Sequence, residues 1–246
     1  MGFLDFLGRK KVLTYDQVRE LIQNQDLHQL KKISEVSFST RHRSGDTPAY
    51  FAAENDHREC LKVIVERSPA SLKIQTAVGA TPAFIAAEKG HLDCLRMIAG
   101  KALDTLKVQT ARGVIPGATP AFIATERGQK ECLEFIFEKA PETLKTPNKD
   151  GETPAFVAAE KGQKECLEFI FEKAPDTIRT QDNSGATPAF IAAEKGRKEC
   201  LEFIAEKAPD TLMIENNRGA TPLSIASLEK NKECVDLLRN YVDSEF

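Results

Sequence analysis

The dipeptide Thr-Pro recurs through the chain at a nearly constant interval, and this recurrence constrains the fold more than any other feature. Successive copies are 34, 38, 34, 34 and 34 residues apart. The surrounding text recurs as well, since residues 129–141 and 163–175 both read QKECLEFIFEKAP. Such repetition predicts a stack of similar units that contact mainly their neighbours. The six copies are Thr47-Pro48, Thr81-Pro82, Thr119-Pro120, Thr153-Pro154, Thr187-Pro188 and Thr221-Pro222.

Each unit carries signals for a short first helix. In the stretch GATPAFIAAEKG, Thr187 is placed to cap the helix and Pro188 to occupy its first position, where the missing N–H group costs nothing. Gly196 is then suited to the left-handed residue that ends a helix. We therefore predict a complete helix within these residues.

A second helix and a loop follow in the same unit. Residues 197–207 place apolar side chains at helical spacing, and Pro209 prevents further helix. Residues 210–219 are polar and end in Asn-Asn-Arg-Gly, a composition typical of turns. The predicted unit is helix, tight turn, helix and extended polar connector.

This combination of motifs resembles the ankyrin repeat, in six copies over residues 45–242. The resemblance implies an all-α solenoid of helix-turn-helix units joined by extended loops. Three features differ from the family: the repeat has 34 residues instead of 33, Ala-Pro replaces the Gly after the second helix, and Ala-Phe replaces Leu-His after most Thr-Pro copies. The last exchange roughly conserves volume, so we expect the fold to be kept, although the family's histidine hydrogen bond cannot form.

The ends of the array are expected to be caps with polar outer faces. Residues 14–44 read as a degenerate capping repeat without Thr-Pro, with Thr14 or Asp16 as the cap of its first helix. In the last repeat, Ser224, Lys230 and Arg239 replace Phe, Gly and an apolar residue. Residues 1–13 form a short apolar and basic segment, and residues 243–246 form a tail.

Charge and hydropathy exclude several classes of partner. With 34 basic and 37 acidic residues, the chain lacks the basic excess of a nucleic-acid-binding protein. It has no run of about 18 apolar residues, and its N-terminus lacks the order of a secretory signal. We expect no binding to nucleic acid and no stable membrane anchoring.

The six cysteines follow the repeat, each thirteen residues after its threonine. Helices that pack at about 8–10 Å place equivalent residues beyond the roughly 7 Å reach of a disulfide. We therefore expect free, buried thiols and a reducing compartment, the cytoplasm.

Catalytic and metal sites are not indicated. His57 and His91 each precede a cysteine by three residues, but the cysteines are expected to face the core and the histidines a turn, so we predict no metal site. The glutamates recur with the repeat on solvent faces, and no HExxH, GxSxG, glycine-rich phosphate loop or CxxC motif occurs. We expect no enzyme activity and no cofactor.

Aromatic residues recur after Thr-Pro, at Tyr50, Phe84, Phe122, Phe156 and Phe190. This ladder is interpreted either as core packing or as an exposed strip for a partner or for stacked bases. The regularity favours packing, and the lack of a basic excess disfavours stacked bases.

The resemblance implies that a partner lies against the concave surface formed by loop tips and first-helix ends. In this chain the helix ends form a ribbon of alternating charge, which is either a specific contact surface or simply a solvated face. The candidate residues on this ribbon are Glu88, Lys89, Glu126, Arg127, Glu160, Lys161, Glu194 and Lys195.

Two segments interrupt the regularity. The 38-residue interval lengthens the loop at residues 111–117, where Arg112, Val114 and Ile115 form either a partner contact or a neutral insertion. Residues 1–11 carry four apolar side chains before three basic ones, and could cover the first unit, dock on another protein or touch a membrane surface.

The function predicted from these patterns is non-catalytic protein binding by a monomeric adaptor or scaffold whose partner the sequence does not identify. The near-identity of neighbouring repeats resembles the ankyrin arrays of bacterial effectors, which would place the protein in a host cytosol. The alternatives are a regulatory or inhibitory subunit of an enzyme, and a membrane-peripheral adaptor that uses residues 1–11.

Overall fold

The computed structural model describes residues 10–113 and 115–245, and these residues form helices and loops without a strand. The chain divides into two compact units, Met1–Pro116 and Gly117–Phe246. Helix pairs stack on their neighbours within each unit. The prediction of an all-α repeat solenoid is confirmed.

The first unit contains the cap and two repeats. In each repeat the first helix packs on its partner, and first helices and second helices also pack on their counterparts in the next repeat. The α-helices are α1 (Tyr15–Gln23), α2 (Leu27–Leu30), α3 (Pro48–Glu54), α4 (Arg58–Arg67), α5 (Pro82–Lys89) and α6 (Leu92–Ala99).

The second unit contains four repeats with the same arrangement. We call the first helix of each repeat the inner helix and the second the outer helix. The α-helices are α7 (Pro120–Glu126), α8 (Lys130–Lys139), α9 (Pro154–Lys161), α10 (Lys164–Lys173), α11 (Pro188–Glu194), α12 (Lys198–Lys207), α13 (Pro222–Leu228) and α14 (Lys232–Glu245).

The inner helices begin as the sequence predicts. Thr187 Oγ1 accepts a hydrogen bond from Phe190 N at 3.2 Å, and Pro188 is the first helical residue. Gly196 follows the end of α11 with a positive φ of 66°. Because the cap satisfies an N–H group that has no partner within the helix, the start of each inner helix is fixed locally.

The polar connector differs from its prediction. Residues Pro209–Met213 form a 3-10 helix in which Thr211 and Leu212 are buried. The Thr211 hydroxyl donates to Ala208 O at 2.7 Å, so a polar side chain is satisfied inside the core. Pro209 therefore starts a new helical turn in addition to ending α12. The corresponding 3-10 helices are Glu35–Ser39, Pro69–Lys73, Leu103–Lys107, Pro141–Lys145 and Pro175–Arg179.

The aromatic ladder belongs to the core in the second unit. Phe122, Phe156 and Phe190 are at most 4% exposed, whereas Tyr50 and Phe84 in the first unit are half-buried. The packing interpretation is thus confirmed for three of the five rings.

Both ends of the array have cap-like features. Thr14 caps α1 through a reciprocal pair of hydrogen bonds with Gln17, while Ser224, Lys230 and Arg239 are all exposed at the other end. These polar residues lie where inner repeats carry Phe, Gly or an apolar residue.

One arginine fastens the N-terminal cap to the first repeat. The Arg67 guanidinium donates to Leu30 O and Lys31 O at 3.0 and 2.9 Å, and to Ile33 O at 2.7 Å. Its Cζ also lies 5.6 Å from the centre of the Phe38 ring. A single side chain thus satisfies carbonyl groups at the end of α2.

We expect Arg67→Met to lower the free energy of unfolding by about 2–3 kcal/mol, because the carbonyl groups lose a charged donor while the volume is kept. Urea unfolding and amide hydrogen exchange in α1 and α2 measure the effect. Arg43→Met, at an exposed position, is the matched control. Equal stability of the two variants would contradict this role for Arg67.

Candidate partner-binding surface

The loop before each of the last three Thr-Pro copies folds into a tight turn held by one polar side chain. Asp182 Oδ1 accepts from Ser184 N at 2.9 Å and from Ala186 N at 2.8 Å, and Asp182 N donates to Ala186 O at 2.9 Å. Asn148 and Asn216 hold their own turns by equivalent bonds. Each turn therefore has a fixed shape with an exposed tip.

Neighbouring tips in the second unit are joined through their backbones. Asn183 N donates to Asp150 O and Asn217 N donates to Ser184 O, both at 2.9 Å. The side chains of Asn183 and Asn217 add bonds of 3.0 and 3.1 Å to the carbonyl groups of Lys149 and Asn183. The tips consequently form a continuous strip of exposed polar residues.

The inserted loop starts by joining the tip before it. Ala111 N and Arg112 N both donate to Val78 O, at 2.9 and 3.1 Å, and Thr110 Oγ1 donates to Ile115 O at 2.7 Å. Arg112 is exposed and Ile115 is half-buried, while Val114 lies outside the described residues. The side chain of Ile115 is thus less exposed to a partner than the predicted protruding loop would leave it.

Val78 is a surface residue that the sequence analysis missed. It is 41% exposed at a tip, where the equivalent residues of other repeats include Ser44, Asp150 and Arg218. An alignment of the repeats by their threonines would have found this apolar exception.

The charged ribbon at the inner-helix ends is largely paired within itself. Lys161 Nζ lies 3.6 Å from Glu126 Oε1 and 3.2 Å from Glu160 Oε2, and Lys195 Nζ lies 2.7 Å from Glu194 Oε1. Surface pairs of this kind contribute about 0–1 kcal/mol each. They also reduce the charge that a partner would meet.

The ribbon residues differ in their exposure. Lys89, Arg127, Lys161 and Lys195 are exposed, while Glu88, Glu160 and Glu194 are half-buried. The expectation that all these glutamates lie on solvent faces is wrong for Glu126, whose side chain is only 9% exposed. It packs under Lys161, so it offers a partner little surface.

Residues that begin the outer helices link neighbouring repeats. His91 Nδ1 lies 2.8 Å from Ala53 O, Arg197 Nε donates to Glu160 O at 2.9 Å, and Asn231 Nδ2 donates to Ala193 O and Glu194 O at 2.9 and 2.7 Å. His91 therefore links helix ends. The described residues contain no cluster of three or more potential metal ligands.

Three residues of the first tip resemble a catalytic triad only in composition. Ser44 Oγ lies 2.7 Å from His42 Nδ1 and donates to Asp46 Oδ2 at 2.5 Å. A serine nucleophile needs the imidazole between hydroxyl and carboxylate, whereas here the hydroxyl lies between the other two. The group is a turn-stabilising network.

The six cysteines are free and buried. Burial raises the pKa of Cys94, Cys166 and Cys200 to about 12 and that of Cys60 to about 11. Because the thiolate is the reactive form, these side chains are poor nucleophiles.

Hydropathy of the helices gives one further result. Among the described residues, none of the helices combines the length and apolar character needed to cross a membrane. The apolar segment at residues 1–9 lies outside the described residues.

The comparison with known families agrees with the repeat geometry. The family model described as "Ankyrin repeats (3 copies)" matches residues 13–108, 98–181 and 175–245. No curated protein matches the chain. With helix pairs, linked turns and family matches over nearly its whole length, the chain belongs to the ankyrin repeat family.

Proposed function

We propose that this chain is a non-catalytic adaptor or scaffold that holds a protein partner against the loop tips and the adjoining ends of its inner helices. Ankyrin repeats are generally protein–protein interaction modules, and the family is typically non-catalytic. The proposal narrows that general role to particular surfaces of this chain.

The observation that carries the proposal is where the repeats differ from one another. Residues 163–175 and 197–209 differ at only two positions, whereas the preceding tips read Lys149-Asp150 and Asn183-Ser184, with Asn217-Arg218 in the next repeat. Helix packing explains the buried residues that these two outer helices share, such as Cys166 and Cys200. The varied residues lie at exposed positions, where side chains can differ without cost to the core.

The rigidity of the tips supports binding there. The tips before the last three Thr-Pro copies are held by Asn148, Asp182 and Asn216, and backbone bonds join these tips to one another. A partner would therefore bind a surface that is already ordered, and the entropy cost of association would be low. The paired ribbon beside the tips would add specificity more than affinity.

The test reverses two charges at the tips and leaves the hydrogen bonds that hold the turns unchanged. Asp150→Lys with Arg218→Glu changes two exposed side chains, and only their backbone atoms join the tip network. The control, Glu138→Lys with Lys207→Glu, makes equivalent charge reversals at exposed positions of the outer helices α8 and α12. Both variants keep the net charge.

We expect the tip variant to weaken binding to a partner identified by cross-linking to the intact chain by at least about tenfold, which corresponds to about 1.4 kcal/mol. The control should stay within about twofold. Calorimetry or surface plasmon resonance measures both affinities. Equal affinities, or a larger loss in the control, would reject the tip surface.

The same proposal places the protein in a reducing compartment such as the cytoplasm. Six free, buried thiols support it, because such thiols are maintained where glutathione keeps cysteine reduced. The monomeric state, the effector role in a host cell and the contacts of Arg112 and Ile115 stay predictions.

A further inference from the structure

The outer helices of the second unit share an aromatic contact. Phe137 on α8 meets Phe169 on α10 with ring centroids 5.7 Å apart and an interplanar angle of 87°. Phe171 on α10 meets Phe203 on α12 at 5.6 Å and 90°. In each case an aromatic ring fills the groove between two neighbouring outer helices in edge-to-face geometry.

Two residues of the first unit occupy the same repeat positions but carry smaller side chains. Val65 follows Thr47 by eighteen residues, as Phe137 follows Thr119, and Met97 follows Thr81 by sixteen, as Phe169 follows Thr153. Between the two helices that carry them, α4 and α6, lies an open groove of about 590 Å³ lined by both residues.

The pattern holds at another pair of helices. At α12 and α14 the corresponding residues are Ala205 and Leu237, and a groove of about 400 Å³ lies beside Leu237. Grooves are thus present at two pairs of outer helices that lack the two rings. Charged side chains line both grooves, but most of the exposed surface in the groove at α4 and α6 is apolar, whereas polar and apolar surface are about equal at α12 and α14. The groove at α4 and α6 therefore suits an apolar group better.

We propose that the groove between α4 and α6 binds an aromatic side chain of phenylalanine type from a partner protein. The equivalent interfaces of the second unit already hold such a ring between the outer helices of neighbouring repeats. Val65, only 6% exposed, gives the groove an apolar wall. Half-buried Met97 supplies a polarisable sulfur that packs well against aromatic rings.

The rim of the groove contributes to this fit. Lys62 and Lys101 line it, and their alkyl stems extend its apolar surface while the ammonium groups reach solvent. Arg58, also on the rim, pairs with Asp56 and Asp93, which holds the ends of α4 and α6 together. This site lies on the outer helices, so it is independent of the tips and inner-helix ends proposed above.

Methyl NMR on the full chain tests the site directly, because the chain has only three methionines. The probe is N-acetyl-phenylalanine amide, and N-acetyl-alanine amide is the matched compound without a ring. We expect the aromatic probe to produce a saturable upfield shift of the Met97 methyl by ring current. The methyl of Met213, which is 57% exposed, is the internal control and should not move.

One variant fills the groove in the first unit, and another opens the equivalent groove in the second unit. Val65→Phe places a ring where Phe137 has one, and should weaken probe binding by at least about tenfold. Phe137→Val with Phe169→Met should open a groove in the second unit and add a methyl at position 169 that responds to the probe. Circular dichroism checks that both variants fold.

Three results would overturn the proposal. The first is the absence of a saturable Met97 shift, and the second is an equal response of Met97 and Met213. The third is unchanged probe binding in folded Val65→Phe. If Val65→Phe fails to fold, the double variant provides the test. The absence of a probe-induced shift at its position 169 methyl would show that removing the ring does not create a binding site.

Discussion

Alkaline solution is expected to unfold this protein within about two pH units above pH 9, because its buried thiols lose their protons more readily in the unfolded chain than in the folded chain. Burial raises the pKa of Cys94, Cys166 and Cys200 from 9.0 to about 12. Between these values the native chain holds protons that the unfolded chain has lost. The stabilisation is complete below pH 9 and decreases as the pH rises towards 12, by about 1.4 kcal/mol per thiol and pH unit.

Urea unfolding at a series of pH values measures this dependence. Cys200→Ala provides the control, since it removes one buried thiol and should make the slope of unfolding free energy against pH shallower by about 1.4 kcal/mol per unit. Burial raises the pKa of Tyr15 to about 12, so this residue also lowers stability as the pH rises. It is present in both the unchanged chain and Cys200→Ala, so it does not affect the difference between their slopes. A free energy that stays constant from about pH 8.5 to 10.5 would mean that the thiols ionise in the folded chain.

Local signals in the sequence were sufficient to predict the helix pairs. Thr187 and Pro188 specify where α11 begins through bonds and dihedral angles within a few residues. Cys200 could be assigned to the core because its repeat position recurs at helical spacing. These features depend on neighbours in sequence, so they could be read without a structure.

Contacts between repeats could not be predicted in the same way. His91, Arg197 and Asn231 make the same kind of link to an inner-helix end, yet share no chemical pattern beyond a nitrogen of suitable reach. The buried 3-10 helix at Pro209–Met213 was hidden for a similar reason. Thr211 looks polar in sequence, and only its bond to Ala208 O allows it to be buried.

The candidate surface was predicted in outline and not in its details. The ribbon of charge at Glu160 and Lys161 is present, but the ion pair of Lys161 with Glu126 depends on a distance across repeats. The buried position of Glu126 and the exposed Val78 follow from packing between loops and helices. Individual exposure is a property of the stack, so the repeat pattern alone could not supply it.

Substitution of Gly185, two residues before Thr187, should show how much the stability of its turn depends on contact with the next repeat. Gly185 has a φ of +80°, and a Cβ atom there would lie 2.7 Å from Asn217 N. Alanine would therefore meet the cost of the left-handed region, about 1–2 kcal/mol, and would also displace the backbone bond from Asn217 N to Ser184 O. We expect Gly185→Ala to lower the free energy of unfolding by about 3 kcal/mol.

Gly219 supplies the matched control because it occupies the same position in the last repeat. Its φ is +74°, but the nearest atom to an added Cβ is Glu215 Oε2 at 3.8 Å. Gly219→Ala should therefore cost only the left-handed conformation, about 1–2 kcal/mol. Urea unfolding gives both values, and faster amide exchange at Asn217 should accompany Gly185→Ala alone. If the two variants lose equal stability, the glycine is needed for its own turn and the close approach of the following repeat adds nothing.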